Sequence, residues 1–186
     1  ASFFLVHEKV YSAFAKIFEK KVQALKIENP FLPSAEFSPY LHHESVNKAK
    51  HHLQDALAKG AKALLPTTNP SHPQILTGCK KNMMIFKEET FSPLAPLLSF
   101  KTEKEAISLA NDTPYGLAAY LFTENQAKAN RVIKELDFGM VGYNDGLFSS
   151  CYLPFGGVKE SGFGREGGPT ALDDFLVCKS VSQKLS

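Results

Sequence analysis

The chain has 186 residues, 44% hydrophobic and 22% charged, the balance of a globular protein, which excludes a disordered tail, a collagen-like fibre and a disulfide miniprotein. Lys and Arg number 21 against 19 Asp and Glu, interspersed to a net charge of +2, so no nucleic acid or membrane partner is expected. Cys79, Cys151 and Cys178 are odd in number and widely spaced, which suits a reducing, cytoplasmic setting, and no apolar run approaches the roughly 20 residues of a membrane span.

In chain order, the sequence opens on Ala1 and passes straight into Phe3-Phe4-Leu5-Val6, with no initiator Met, polar leader or signal pattern; the expectation is a part of a longer design. Phe3 to Val6 predict a short buried strand. Val10, Phe14, Ile17, Phe18, Val22 and Leu25 follow at helical spacing. Three prolines between Asn29 and Tyr40 exclude regular structure there. Val46, Ala49, Leu53, Ala56 and Leu57 predict a second amphipathic helix, with Gly60 as its C-cap. Pro66 to Pro73 reads as a surface loop. The apolar run Leu94 to Phe100 predicts a strand, and Thr102-Glu103-Lys104-Glu105 a capping box opening a third helix. Gly116 to Phe122 predicts a strand, Thr123-Glu124-Asn125-Gln126 a second cap, and Gly139 to Tyr143 a further strand. Strand and helix alternating with short connections imply a parallel sheet with right-handed crossovers. Such sheets place ligands beyond the carboxyl ends of their strands, which makes Asn144 to Ser150 a candidate site wall.

Gly162-Phe163-Gly164-Arg165-Glu166-Gly167 matches the letters of a dinucleotide-binding loop. The mechanism needs a strand before, a helix after and an acidic residue about 20 positions on, and too little chain follows, so a close-packed turn is expected. His42, His43, His51 and His52 lack metal-site spacing and read as a solvated helix surface. Cys151 beside the site loop has no later His to lower its pKa, so it reads as pocket wall, not nucleophile. Lys87 to Pro93 places Glu88, Glu89 and Phe91 ahead of a strand; taken alone, this is a solvated charge pair before a Pro turn.

Four segments in one order resemble the aldehyde dehydrogenase superfamily: Glu88 to Pro93, Ala110 to Ala118, Gly139 to Asn144, and Pro154-Phe155-Gly156-Gly157-Val158-Lys159-Glu160-Ser161-Gly162-Phe163-Gly164-Arg165-Glu166. Pro93 to Pro96 and Gly139 to Ser150 look most like succinate-semialdehyde dehydrogenases. The resemblance implies a three-layer α/β fold, a largely parallel sheet flanked by helices, with residues 1–168 a partial catalytic domain and 169–186 a C-terminal helix and oligomerisation strand. It implies a reaction in which a cysteine thiolate adds to the aldehyde, hydride leaves for NAD or NADP, and an activated water hydrolyses the thioester. Carried over by motif, Glu89 would hydrogen-bond the nicotinamide ribose and Phe91 would pack beside the nicotinamide. Phe155 would line the aldehyde pocket, Asn144 would hold the loop, and Ser149 would contact the substrate carboxylate.

In the family the nucleophile lies just before the segment resembling Ala1 to Phe4, and the cofactor domain and general base precede it as well. These 186 residues alone are therefore expected neither to bind cofactor nor to oxidise aldehydes. The alternatives are another semialdehyde dehydrogenase subfamily, such as one acting on glutarate semialdehyde, or a non-catalytic interaction fragment. Leu176 to Val181 resembles the strand that pairs with another subunit, so a homo-oligomer is expected. Ser38 and Ser92 stand where the family usually has Gly. If either position needs φ > 0, Ser costs on the order of 1 kcal/mol, and Gly at 92 would restore stability.

Overall fold

In the computed structural model, residues 2–39, 42–66, 72–147 and 149–185 are described; Tyr40, Leu41, the 67–71 stretch of the predicted loop and Phe148 of the candidate wall lie outside them. The chain divides into two compact units, Ala1–Ala110 and Asn111–Ser186.

The first unit is built on alternation. Strands β1 (Phe4–His7), β2 (Lys62–Ala63), β3 (Gln74–Thr77) and β4 (Leu94–Phe100) form one sheet in the order β1-β4-β3-β2, parallel except where β2 meets β3. Successive side chains of a strand point to opposite faces. Ile75 and Leu97 therefore face helix α1 (Glu8–Gln23), where Ala15, Tyr11, Phe18 and Val22 meet them. Leu76 and Leu94 face the other way, onto Ala56 of helix α2 (His43–Ala58), with Met83 and Ile85. This gives the three layers that the sequence implied. The stripe predicted for α1 is rotated in fact, since Val10, Phe14 and Ile17 remain exposed while Tyr11, Ala15 and Phe18 turn to the sheet. Helix α2 ends as expected, with Gly60 at φ +95. Helix α3 (Glu103–Asn111) begins at the predicted box: Glu105 N donates to Thr102 Oγ1 at 3.2 Å, while the Glu105 carboxylate accepts from Lys101 N at 2.8 Å.

The second unit holds two short ladders, β5 (Tyr115–Gly116) antiparallel to β8 (Val158–Lys159), and β6 (Ala118–Leu121) parallel to β7 (Met140–Tyr143). Helix α4 (Gln126–Glu135) makes the crossover between β6 and β7. Its cap is Asn125, not Thr123: Asn125 Oδ1 accepts from Lys128 N at 2.9 Å, and the Thr123 hydroxyl is spent on Asn125 N at 3.2 Å. Gly162, Gly164 and Gly167 have φ of +90, +88 and +65 in a series of turns, a backbone that side chains with a Cβ resist. No helix of the described residues is long and apolar enough to cross a membrane.

Candidate functional site

Glu89 and Phe91 sit in the first unit between a 3-10 turn, Met84–Phe86, and β4. The loop ends at the amino edge of β4, so the rule that ligands gather at carboxyl ends of parallel strands does not cover it. Ile85 is buried in the core and anchors the turn. Beyond it Glu88 is exposed, Glu89 half-buried and Thr90 buried. The Phe91 ring is then 83% exposed, on a backbone at φ +44. An apolar ring held in solvent by a left-handed backbone costs stability twice, in exposed surface and in strain of order 1–3 kcal/mol.

The structure corrects the expectation about the serines. Among the described residues, non-glycine positive φ occurs at Phe91, Asn144 and Lys159, at neither Ser38 nor Ser92. Strain thus lies one residue earlier than the family's usual glycine suggested. What Ser92 brings is a buried Oγ without a partner among the described residues.

The histidine expectation is corrected as well. His42, His43 and His51 are exposed, but His52 is 1% exposed and its Nε2 lies 3.1 Å from Glu88 Oε2. Its place explains this: three after Ala49 and four before Ala56, both fully buried, it falls on the inward stripe of α2. That periodicity was the available signal. One turn on, Asp55 Oδ2 accepts from Met84 N at 2.7 Å. The Lys59 ammonium and this N–H hold the Asp55 carboxyl below its ordinary range.

In the second unit the candidate wall leaves β7 at Asn144, which has φ +52. Its Oδ1 accepts from Thr123 N at 2.9 Å, and its Nδ2 donates to Thr123 O at 2.9 Å. The side chain thereby copies a ladder rung between the ends of β6 and β7. Asp145 Oδ1 then accepts from Leu147 N at 2.9 Å, tightening the turn. Ser149 is exposed. Phe155, 38% exposed, exchanges backbone bonds with Glu166, N to O at 2.7 Å and O from N at 2.8 Å. Sequence reading passed over Arg165, whose Nη1 donates to Gly157 O at 2.8 Å and Gly164 O at 2.6 Å and so ties the turn that carries Phe155.

The three cysteines differ in setting. Burial pushes the Cys79 thiol up to about 11, and its Sγ donates to Leu76 O at 3.4 Å. Cys151 and Cys178 are exposed, and the second unit, which holds both, contains no His. No cluster of three metal-ligating side chains occurs among the described residues.

The sequence profile of the aldehyde dehydrogenase family matches residues 1–181. The chain is 41% identical over 183 residues to the mitochondrial succinate-semialdehyde dehydrogenase of Oryza sativa subsp. japonica, covering 95% of this chain and 35% of that protein. It is 42% identical over 178 residues to the glutarate-semialdehyde dehydrogenase of Pseudomonas putida, covering 94% and 37%. Among solved structures, the succinate-semialdehyde dehydrogenase from Burkholderia pseudomallei superposes with a TM-score of 0.91 at 44% identity, covering 95% of this chain and 38% of that one. A betaine aldehyde dehydrogenase from Staphylococcus aureus in complex with NAD+ gives 0.87 at 34% identity, over 95% and 37%. The chain thus spans little more than a third of the length of these relatives.

Proposed function

Because the chain belongs to the aldehyde dehydrogenase family, we propose that it forms the cofactor-edge and pocket-wall part of an NAD- or NADP-dependent enzyme that oxidises succinate semialdehyde to succinate. The single observation that carries this reading is the Asn144 lock, which launches the Ser149 and Phe155 wall from the carboxyl end of β7 in a chain 41% identical to a succinate-semialdehyde dehydrogenase. In this reading the Ser149 hydroxyl donates to the carboxylate of the substrate. Phe155 gives the methylene chain an apolar surface.

The residues of the first unit fit a nicotinamide cofactor. Glu89 offers a half-buried carboxylate that accepts from two adjacent ribose hydroxyls, and Phe91 offers an exposed ring face. When bound, the cofactor would accept the hydride. Glu89 and Phe91 would orient it and exclude water from one side.

We also propose that the 186 residues alone do not turn over. A thiolate nucleophile needs a depressed pKa; Cys79 has the opposite, and the exposed cysteines have no imidazole in their unit. Exposed free thiols at Cys151 and Cys178 favour a reducing, cytoplasmic setting. Residues 1–168 would then be a partial catalytic domain and 169–186 an arm. Leu176, Val177 and Val181 of that arm are 67%, 94% and 80% exposed, an apolar edge that pairing with a second copy would cover. Light scattering on the chain should give a dimer or larger assembly; a monodisperse monomer would refute the arm.

The activity is tested by exchange. This chain replaces the matching third of the rice enzyme, and NAD(P)H formation is followed by absorbance. We expect turnover from the joined enzyme with succinate semialdehyde and none from the 186 residues alone. A preference for glutarate semialdehyde, the aldehyde named for the Pseudomonas putida relative, would move the substrate to that class. Turnover by the isolated chain would overturn the division of labour.

A further inference from the structure

Along one face of α2, three side chains meet the segment leading to Glu89. Lys59 Nζ donates to Asn82 O at 2.8 Å, Asp55 Oδ2 accepts from Met84 N at 2.7 Å, and His52 Nε2 lies 3.1 Å from Glu88 Oε2. Residues three and four apart share a helix face. The helix therefore runs from 59 back to 52 while the segment runs from 82 to 88, in an antiparallel row of polar clasps. Lys59 and Asp55 are joined to each other at 2.6 Å, and both grip backbone atoms around the 3-10 turn. His52 is different, because it grips a side chain, and that side chain belongs to the residue before Glu89.

Volume alone does not account for an imidazole there. Its Nδ1 has no partner among the described residues, and a buried polar atom left unpaired is unfavourable. An aliphatic side chain would fill the same space without that cost. The compensation is at Nε2. A carboxylate only accepts, so Nε2 carries the hydrogen of that bond. One end of the bond is 1% exposed and the other 49%, which couples the core to a surface loop. Two residues past Glu88 the chain is buried again at Thr90, and at Phe91 it adopts φ +44. A strained backbone persists only where its surroundings determine it. On the far flank Pro93 O accepts from Gln74 N at 2.8 Å; on the near flank stands the His52–Glu88 bond.

We propose that His52 is a positioning residue: its Nε2–H fixes the Glu88 carboxylate and thereby the path of Glu89-Thr90-Phe91. Its use in the enzyme rests on the cofactor role of Glu89 and Phe91 given above; its geometry does not.

The test is solution NMR of the 15N-labelled 186-residue chain. The long-range proton–nitrogen spectrum of His52 should show a protonated Nε2. His52→Leu should displace or double the amide resonances of Glu88, Glu89, Thr90 and Phe91 while those of β1 and α1 stay in place, and His52→Gln, which retains an N–H donor, should return them toward their original positions. Glu88→Ala breaks the bond from the solvent side and spares the core, so it decides the matter even if His52→Leu does not fold; the Phe91 amide should move with it. A Phe91 amide unmoved by Glu88→Ala would overturn the proposal, as would His52→Leu shifts spread evenly over β3, β4 and α2 and not reversed by His52→Gln. In the joined enzyme, amides displaced by Glu88→Ala with the cofactor KM unchanged would refute the cofactor role and leave the positioning role standing.

Discussion

The loop from Asn82 to Pro93 in the first unit and the turns from Gly139 to Gly168 in the second each present an aromatic ring to solvent, yet they are held by different means. In the first, long side chains reach across from a helix: Lys59, Asp55 and His52. In the second, the Asn144 and Arg165 side chains tie the chain within its own unit, and between them backbone lies on backbone. A Cβ at Gly139 would overlap the Gly156 carbonyl, and one at Gly156 would overlap that of Gly164. Side-chain clasps can be exchanged for others that keep a donor or acceptor. Backbone contacts admit no added atom, because the neighbour that must give way is itself part of the main chain.

The largest effect is expected from Gly139→Ala. It should destabilise the second unit by about 3 kcal/mol or more, whereas Gly146→Ala, with nothing near its Cβ, should stay within about 0.5 kcal/mol. Urea denaturation of both variants checks the pair, and equal midpoints would contradict close packing at Gly139. Next in size is Asn144→Ala, which abolishes both bonds to Thr123 and leaves a left-handed backbone without its lock. A loss of about 1–2 kcal/mol is expected, with amide exchange at Thr123 accelerated.

Ser92→Ala should act in the opposite direction, raising stability by about 1 kcal/mol by removing a buried hydroxyl that has no partner. A lowered melting temperature would show that the hydroxyl is satisfied. The smallest effect lies in the acid limb. The Asp55 carboxyl, held low by Lys59 and then by Met84 N–H, releases its proton more readily in the folded chain than in the unfolded one. Its contribution is present above the ordinary carboxylate value of 3.8 and is lost as pH falls below that toward the depressed folded value. Asp55→Asn should therefore flatten the fall in stability at acid pH, and an unchanged slope would deny the clasp.

Elements whose causes are local were legible in the sequence. The Thr102 and Glu105 box, the Gly60 cap and the β7 strand follow from neighbours within four residues, and all stand in the structure. The four linked segments pointed to the family because motif and order are themselves sequence properties. What escaped turns on which partner each group takes. His52 shares the inward stripe of Ala49 and Ala56, but the Glu88 carboxylate that it meets lies 36 positions away. Ser92 replaces a usual glycine, yet the left-handed backbone falls at Phe91, between the buried Thr90 and the Pro93 tie to β3. At α4 the Thr123 hydroxyl accepts from Asn125 N, and the helix N–H of Lys128 goes to Asn125 Oδ1.

In the proposed enzyme the cofactor edge and the substrate wall have separate tasks, which steady-state kinetics of the joined enzyme can tell apart. Glu89→Gln should raise the cofactor KM about 10-fold, the loss of one charge-assisted hydrogen bond, and leave the aldehyde KM within about twofold; Ser149→Ala should raise the aldehyde KM by a similar factor and spare the cofactor. Both variants moving the same constant, or neither moving any, would contradict the division.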